Sequence, residues 1–136
     1  MTEAEFIKLK KWVEESLHVT EDEQQVMQLS SKVPQVFQII LDLYSANLYE
    51  LKKLKLKRDR KKAELIKYYK EDHQRALAPK EIEEYILLDD DYYKTLGEYD
   101  WLSMVVGYIE NTLDNIKKIS FNIKNWIEIR KFFEGD

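Results

Sequence analysis

Between Pro34 and Pro79 the chain contains neither proline nor glycine, and this uninterrupted stretch limits what it can fold into. Those two residues end helices and permit sharp turns, so without them about 45 residues can form one helix, ~67 Å long at 1.5 Å per residue. The whole chain of 136 residues holds three Gly and two Pro, too little punctuation for a β-sandwich, a barrel or a glycine-rich nucleotide loop. The expected fold class is all-α with long helices. A helix longer than a compact domain of this size must kink, project into solvent or pack against other chains.

Four helical regions are legible. Thr2 with Glu5 three residues on is a capping-box pattern, and Phe6, Leu9, Val13 and Leu17 recur at helical spacing, which predicts a helix from Glu3 to about Leu17. Thr20 with Glu23 is a second start signal, with Glu21, Asp22 and Glu23 suited to the positive end of a helix dipole. That helix would face Val26, Met27 and Leu29 inward. It is expected to be short, because Pro34 biases Val33 away from helical angles. Ser30 and Ser31 can then cap the next segment, whose first half is apolar: Val36, Phe37, Ile39, Ile40, Leu43, Tyr44, Leu48 and Leu51. Pro79 opens a further segment from Lys80 to Leu88, in which Tyr85-Ile86-Leu87-Leu88 fits either a strand turn or a helix end. Asp89, Asp90 and Asp91 can cap a last helix from about Tyr92 to Phe133, with Gly97 and Gly107 as points where it can soften or kink.

The last helix carries an a/d pattern. Leu102, Val106, Ile109, Leu113, Ile116, Ser120, Ile123 and Ile127 alternate steps of four and three, with Ser120 the one polar member. A second apolar line, Tyr108, Ile119, Trp126, Ile129 and Phe133, lies on another face. A helix apolar on two faces needs more than one neighbour, so homo-oligomerisation through this helix is expected. Trp101, Trp126, Phe121, Phe132 and Phe133 read as core or interface residues. The chain divides on this reading into residues 1–80, with a basic helix, and residues 81–136, an acidic connector and an oligomerisation helix.

Composition removes several functions. The absence of cysteine excludes disulfides, a thiolate nucleophile and Cys-ligated metals. His18 and His73 are the only histidines and neither lies in a catalytic motif; no GxSxG, Walker or HExxH pattern is present. The Asp89–Asp91 triplet lacks the alternating oxygens and mid-loop glycine of a calcium loop. Neither an enzyme nor a cofactor is expected. Met1 to Trp12 has no apolar signal-peptide core, and the most apolar stretch, Val36 to Leu43, is too short for a membrane span, so the expectation is a soluble, intracellular protein. Nine Tyr and three Trp argue against disorder.

The net charge of -4 hides two opposed blocks. Residues 52–62 hold eight basic side chains and one acid, Asp59; residues 81–100 hold eight acids and one cation, Lys94. Eight cations in three helical turns repel one another unless a polyanion offsets them. The sequence continues into Lys67, Tyr68, Tyr69 and Lys70, and aromatics beside cations suit single-stranded nucleic acid, whose bases stack on rings. The residues expected to bind are Lys55, Lys57, Arg58, Arg60, Lys61, Lys62, Lys67, Tyr68 and Tyr69. Three other readings stand beside this one: a salt-bridged solvated face, an anionic membrane surface, and a coiled-coil scaffold whose basic stretch meets an acidic protein without DNA. The acidic block reads as a helix cap or as an intersubunit partner for the basic one.

The C-terminal third carries Leu113-Asp114, Ile116-Lys117, Phe121, Ile123-Lys124, Arg130, Phe132 and Gly135, the pattern L-D-x-I-K-x3-F-x-I-K-x5-R-x-F-x2-G. With these positions, the paired tyrosines after a basic helix, and the total length, the chain resembles the UvsY family, recombination mediators of T-even-type bacteriophages. The resemblance implies a helical protein that assembles into a hexameric or heptameric ring through its C-terminal region, here Ile109, Leu113, Ile116, Ile123, Trp126, Ile127 and Phe133. It further implies binding of single-stranded DNA, contact with the phage single-strand-binding protein, loading of a RecA-like phage recombinase, and action in the cytoplasm of the infected host cell; no membrane association is expected, because the basic stretch lacks the bulky apolar opposite face of an interfacial helix. An ungapped match places Ala63 and Leu65 where the family has a Lys and an Arg. That leaves Arg60, Lys61, Lys62, Lys67 and the denser charge upstream to supply the function.

Overall fold

The computed structural model describes residues 1–18, 22–73 and 75–135. The architecture is all-α: α1 (Glu3–Ser16), α2 (Glu23–Lys67), a π-helical turn (Tyr68–Asp72), α3 (Pro79–Ile86) and α4 (Asp90–Glu134). Helix α1 starts as the sequence predicts. The Glu5 amide donates to Thr2 Oγ1 at 3.1 Å, and Glu5 accepts from the Thr2 amide at 3.4 Å. Phe6, Leu9 and Val13 are buried, and Phe6 meets Tyr108 edge-on with ring centroids 5.3 Å apart.

Helix α2 corrects the expectation of a short helix ended at Pro34. It runs through Pro34 for 45 residues, so Ser30 and Ser31 lie within it and cap nothing. Its entry is held by Asp22, whose carboxylate accepts from the Gln24 amide at 2.9 Å; the Thr20 and Glu21 signals lie outside the described residues. An interior proline costs a helix about 3 kcal/mol through a lost hydrogen bond and a ring clash. Here the buried line Val26, Leu29, Val33, Val36 and Ile40 passes on both sides of Pro34 and opposes that cost. Met27, expected inside, is half exposed because it falls off that line, as is Ile39.

Helix α4 begins where the acidic triplet predicts, with Asp89 Oδ1 accepting from the Tyr92 amide at 2.8 Å. It continues through Gly97 and Gly107 as one helix and stops at Gly135, whose φ of 78° suits a residue without a side chain. The undecided segment Tyr85–Leu88 is the end of α3 followed by a turn.

The chain forms two compact units, Met1–Ala46 with Val105–Asp136, and Asn47–Met104. The boundary differs from the one expected near residue 80, because α2 and α4 each serve both units and pair antiparallel in each. In the first unit Glu23 meets Arg130 at 2.6 Å, and Tyr44 donates to Glu110 at 2.8 Å. That bond to a carboxylate holds the Tyr44 phenol above its ordinary pKa, and burial does the same for Tyr108. In the second unit Ile82, Ile86 and Tyr92 form a core against Leu65, Ile66, Tyr69, Leu77 and Leu96.

The a/d line of α4 is used inside the chain. Ile109 is 0% exposed and Ile116 1%; Leu102, Val106, Leu113 and Ile123 are also buried. Of the residues expected to join subunits, Ile109, Leu113, Ile116 and Ile123 therefore hold the protomer together. Trp126 and Ile127 are half-buried, and Phe133 is exposed.

Replacing Pro34 with Ala restores a backbone donor at an exposed position of a continuous helix. The expected result is a gain of about 1–3 kcal/mol in urea-unfolding stability at fixed protein concentration; an unchanged or lower midpoint would contradict a helix that tolerates Pro34 only through packing.

Candidate nucleic-acid interface

The basic half of α2 lies in the second unit, and its side chains divide between two directions. Leu51, Leu54, Arg58, Lys61 and Leu65 follow one another at steps of three or four, and all five are partly buried. Two of the predicted DNA-binding cations are on this inner line. The Arg58 guanidinium lies 4.3 Å from the centroid of the Tyr99 ring on α4, and its Nε and Nη2 donate to Asp59 Oδ1 at 3.1 and 3.0 Å. The hydrogen bonds it donates to Asp59 raise its already high pKa further. Lys61 Nζ pairs with Asp91 at 3.3 Å, so the acidic start of α4 meets the basic helix within the chain.

The remaining cations face outward. Lys52, Lys53, Lys55, Lys57, Arg60, Lys62 and Lys67 are exposed. At 100° per residue, Lys52, Lys55 and Lys62 fall along one flank and Lys53, Lys57, Arg60 and Lys67 along the other. Leu56, 71% exposed, and Ala63 sit on the crest between them. Two of the seven have acidic partners: Lys53 meets Glu50 at 3.5 Å and Arg60 meets Glu64 at 3.3 Å. Among the described residues, Lys52, Lys55, Lys57, Lys62 and Lys67 make no ion pair. Lys52 and Lys53 were not among the expected binding residues. The inner line Leu51-Leu54-Leu65 is the signal that assigns them outward and Arg58 and Lys61 inward.

The two tyrosines have different places. Tyr69 is half-buried against the Ile82, Ile86 and Tyr92 core and lies 5.6 Å from the Tyr85 ring. Tyr68 is half exposed and meets Tyr69 edge-on at 5.1 Å. His73 stands beside them, its ring 5.5 Å from Tyr69 and 6.3 Å from Tyr68, and its Nδ1 lies 2.8 Å from the Arg75 carbonyl oxygen and 3.2 Å from the Arg75 amide nitrogen. The outer surface thus presents two rows of cations ending at one accessible ring, a geometry that can follow a phosphate backbone and stack a base. No group of His, Asp and Glu among the described residues can hold a metal ion, and no described helix is long and apolar enough to cross a membrane.

Comparisons with known proteins bear on this surface. A family model described as "Recombination, repair and ssDNA binding protein UvsY" matches residues 13–136. Crystal structures of the bacteriophage T4 recombination mediator protein UvsY are similar in fold. One, lattice type II, has a TM-score of 0.80 at 16% identity and covers 98% of each chain. A second, lattice type IV, has a TM-score of 0.76 at 16% identity and covers 93% of this chain and 97% of that one. A third, lattice type I, has a TM-score of 0.77 at 15% identity, with 92% and 98% covered. A search of curated proteins finds no match.

The division of the basic helix has a stability consequence. Arg58→Ala removes a cation stacked on Tyr99 and is expected to cost about 0.5–2 kcal/mol, whereas Lys57→Ala, one residue away and exposed, stays within about 0.5 kcal/mol of wild type in urea unfolding. Equal effects would contradict the inward placement of Arg58.

Proposed function

Because the chain belongs to the UvsY family of recombination, repair and single-stranded-DNA-binding proteins, we propose that it acts as a recombination mediator. It binds single-stranded DNA as a homo-oligomer and promotes loading of a RecA-like phage recombinase in place of the phage single-strand-binding protein, in the cytoplasm of the infected host cell. The observation that carries this reading is the outer surface of α2. There Lys52, Lys55, Lys57, Lys62 and Lys67 lie exposed and without acidic partners among the described residues, leading to the accessible Tyr68 ring.

The mechanism follows from that surface. Each lysine neutralises a phosphate and releases condensed counterions, a weak and sequence-independent contact. Repeating the helix in a hexamer or heptamer turns such contacts into one multivalent site of far higher avidity. A strand held by its backbone keeps its bases available to a second protein, which suits transfer from a coating protein to a recombinase. No covalent step is involved, so the protein acts as a binding factor and not as an enzyme, and nucleotide hydrolysis belongs to the recombinase. Because the a/d line is occupied within the protomer, subunit contacts fall to the other apolar line of α4, where Ile129 and Phe133 are exposed beside the half-buried Trp126.

Two outcomes are expected. Replacing Lys55, Lys57, Lys62 and Lys67 with Ala should weaken binding of a labelled oligothymidylate and make the log–log salt dependence shallower by ~0.7 per lost phosphate contact, with unchanged oligomer mass. A slope equal to wild type would misplace the site. Replacing Ile129 and Phe133 with Asp should lower the mass measured by light scattering while helicity is kept, whereas Ile116→Ala, at 1% exposure, should instead destabilise the protomer by about 2–5 kcal/mol.

A further inference from the structure

Apart from the basic half of α2, cations and exposed rings also occur together on the last half of α4, in the first unit. Lys117, Lys124 and Lys131 recur at intervals of seven and are all exposed. At 1.5 Å per residue they stand in one row about 10.5 Å apart. Phe121 and Phe132, 64% and 80% exposed, fall on the adjoining strip of the helix. Around Phe121 the surface forms a shallow hollow of about 370 Å3, bordered by Lys117, Lys118 and Asn122. Residues 115–133 contain five basic side chains and one acid, Glu128, which lies on the same strip. Arg130 is held by Glu23 and Glu134, whereas the three lysines make no ion pair among the described residues.

Neither the core nor the proposed subunit contact accounts for this strip. The buried line through Ile116 and Ile123 lies to one side of it, and Ile129 and Phe133 lie on the other. We propose that it is a second surface for single-stranded nucleic acid, on which Lys117, Lys124 and Lys131 take successive backbone phosphates and Phe121 and Phe132 stack bases. Charge complementarity selects this occupant. A strand offers one negative charge per nucleotide to a row of unpaired lysines, and every base has a face that a phenyl ring can cover. The centre of a protein interface, in contrast, is depleted in lysine. The proposal rests on the single-stranded-DNA reading above and adds a contact outside the basic helix.

The test uses the full chain and a fluorescein-labelled oligothymidylate followed by anisotropy. Lys117→Ala/Lys124→Ala/Lys131→Ala should make the salt slope shallower by up to ~2, and Phe121→Ala should weaken binding roughly tenfold at constant salt, each with wild-type oligomer mass and helicity. Mapping cross-links from an oligonucleotide carrying 5-iodouracil should place adducts on Phe121 or Phe132 as well as on Tyr68. If wild type binds and both variants match it, or adducts occur only at Tyr68, the strip is no nucleic-acid surface. If the variants lose mass as well as affinity, it is a contact between copies or with another protein, and the proposal fails. If wild type does not bind at all, the single-stranded-DNA reading of this chain fails with it.

Discussion

The antiparallel contact between α2 and α4 is the constraint on which the rest of this structure depends. Both helices are 45 residues long, and neither could bury an apolar face alone. In the first unit the buried residues Ile40, Ile109 and Ile116 belong to these two helices, and the ends of the contact are fixed by polar pairs, Glu23 with Arg130 and Tyr44 with Glu110. In the second unit Arg58 with Tyr99 and Lys61 with Asp91 keep the same antiparallel sense. Apolar burial supplies the stabilisation, and the exposed or half-exposed polar pairs mainly set register, since such ion pairs contribute only about 0–1 kcal/mol each.

This contact also creates the proposed binding surface. A helix with eight cations in eleven residues has no intrinsic inside or outside. Docking on α4 gives it one, by stacking Arg58 on Tyr99 and drawing Lys61 to Asp91. Lys52, Lys55, Lys57 and Lys62 are left outward and without acidic partners among the described residues, a state that carries self-repulsion and favours a polyanion. The acidic block that nearly cancels the net charge thus has a local role: Asp89 caps α4, and Asp91 orients one lysine of the basic helix. At the turn that follows, Tyr69 is drawn into the core while Tyr68 stays at the surface, so the pair ties the end of the basic helix to α3 and presents a ring.

Much of this was legible in the residues. The Thr2–Glu5 box, the Asp89 cap and the a/d line on α4 appear as the patterns predict, because each is a local matter of hydrogen-bond donors or of spacing. Pro34 misleads because a local cost of about 3 kcal/mol is outweighed by packing that the flanking residues do not reveal. The a/d line misleads differently. Spacing says that Ile109 and Ile116 need a partner, but not whether it comes from the same chain, and here it does. Within the basic stretch, charge alone makes eight residues equivalent; only the inner line through Leu51, Leu54 and Leu65 separates Arg58 and Lys61 from the others.

The central claim is that contact with α4 sorts the basic helix into inward and outward cations and that the outward ones hold DNA. Lysine acetylation footprinting, with and without an oligonucleotide and read by mass spectrometry, tests it directly. In free protein Lys52, Lys55, Lys57, Lys62 and Lys67 should react readily and Lys61, paired with Asp91, slowly; on adding the strand the five outer lysines should become protected. Reaction of Lys61 as fast as its neighbours, or outer lysines that stay equally reactive in the complex, would contradict the account.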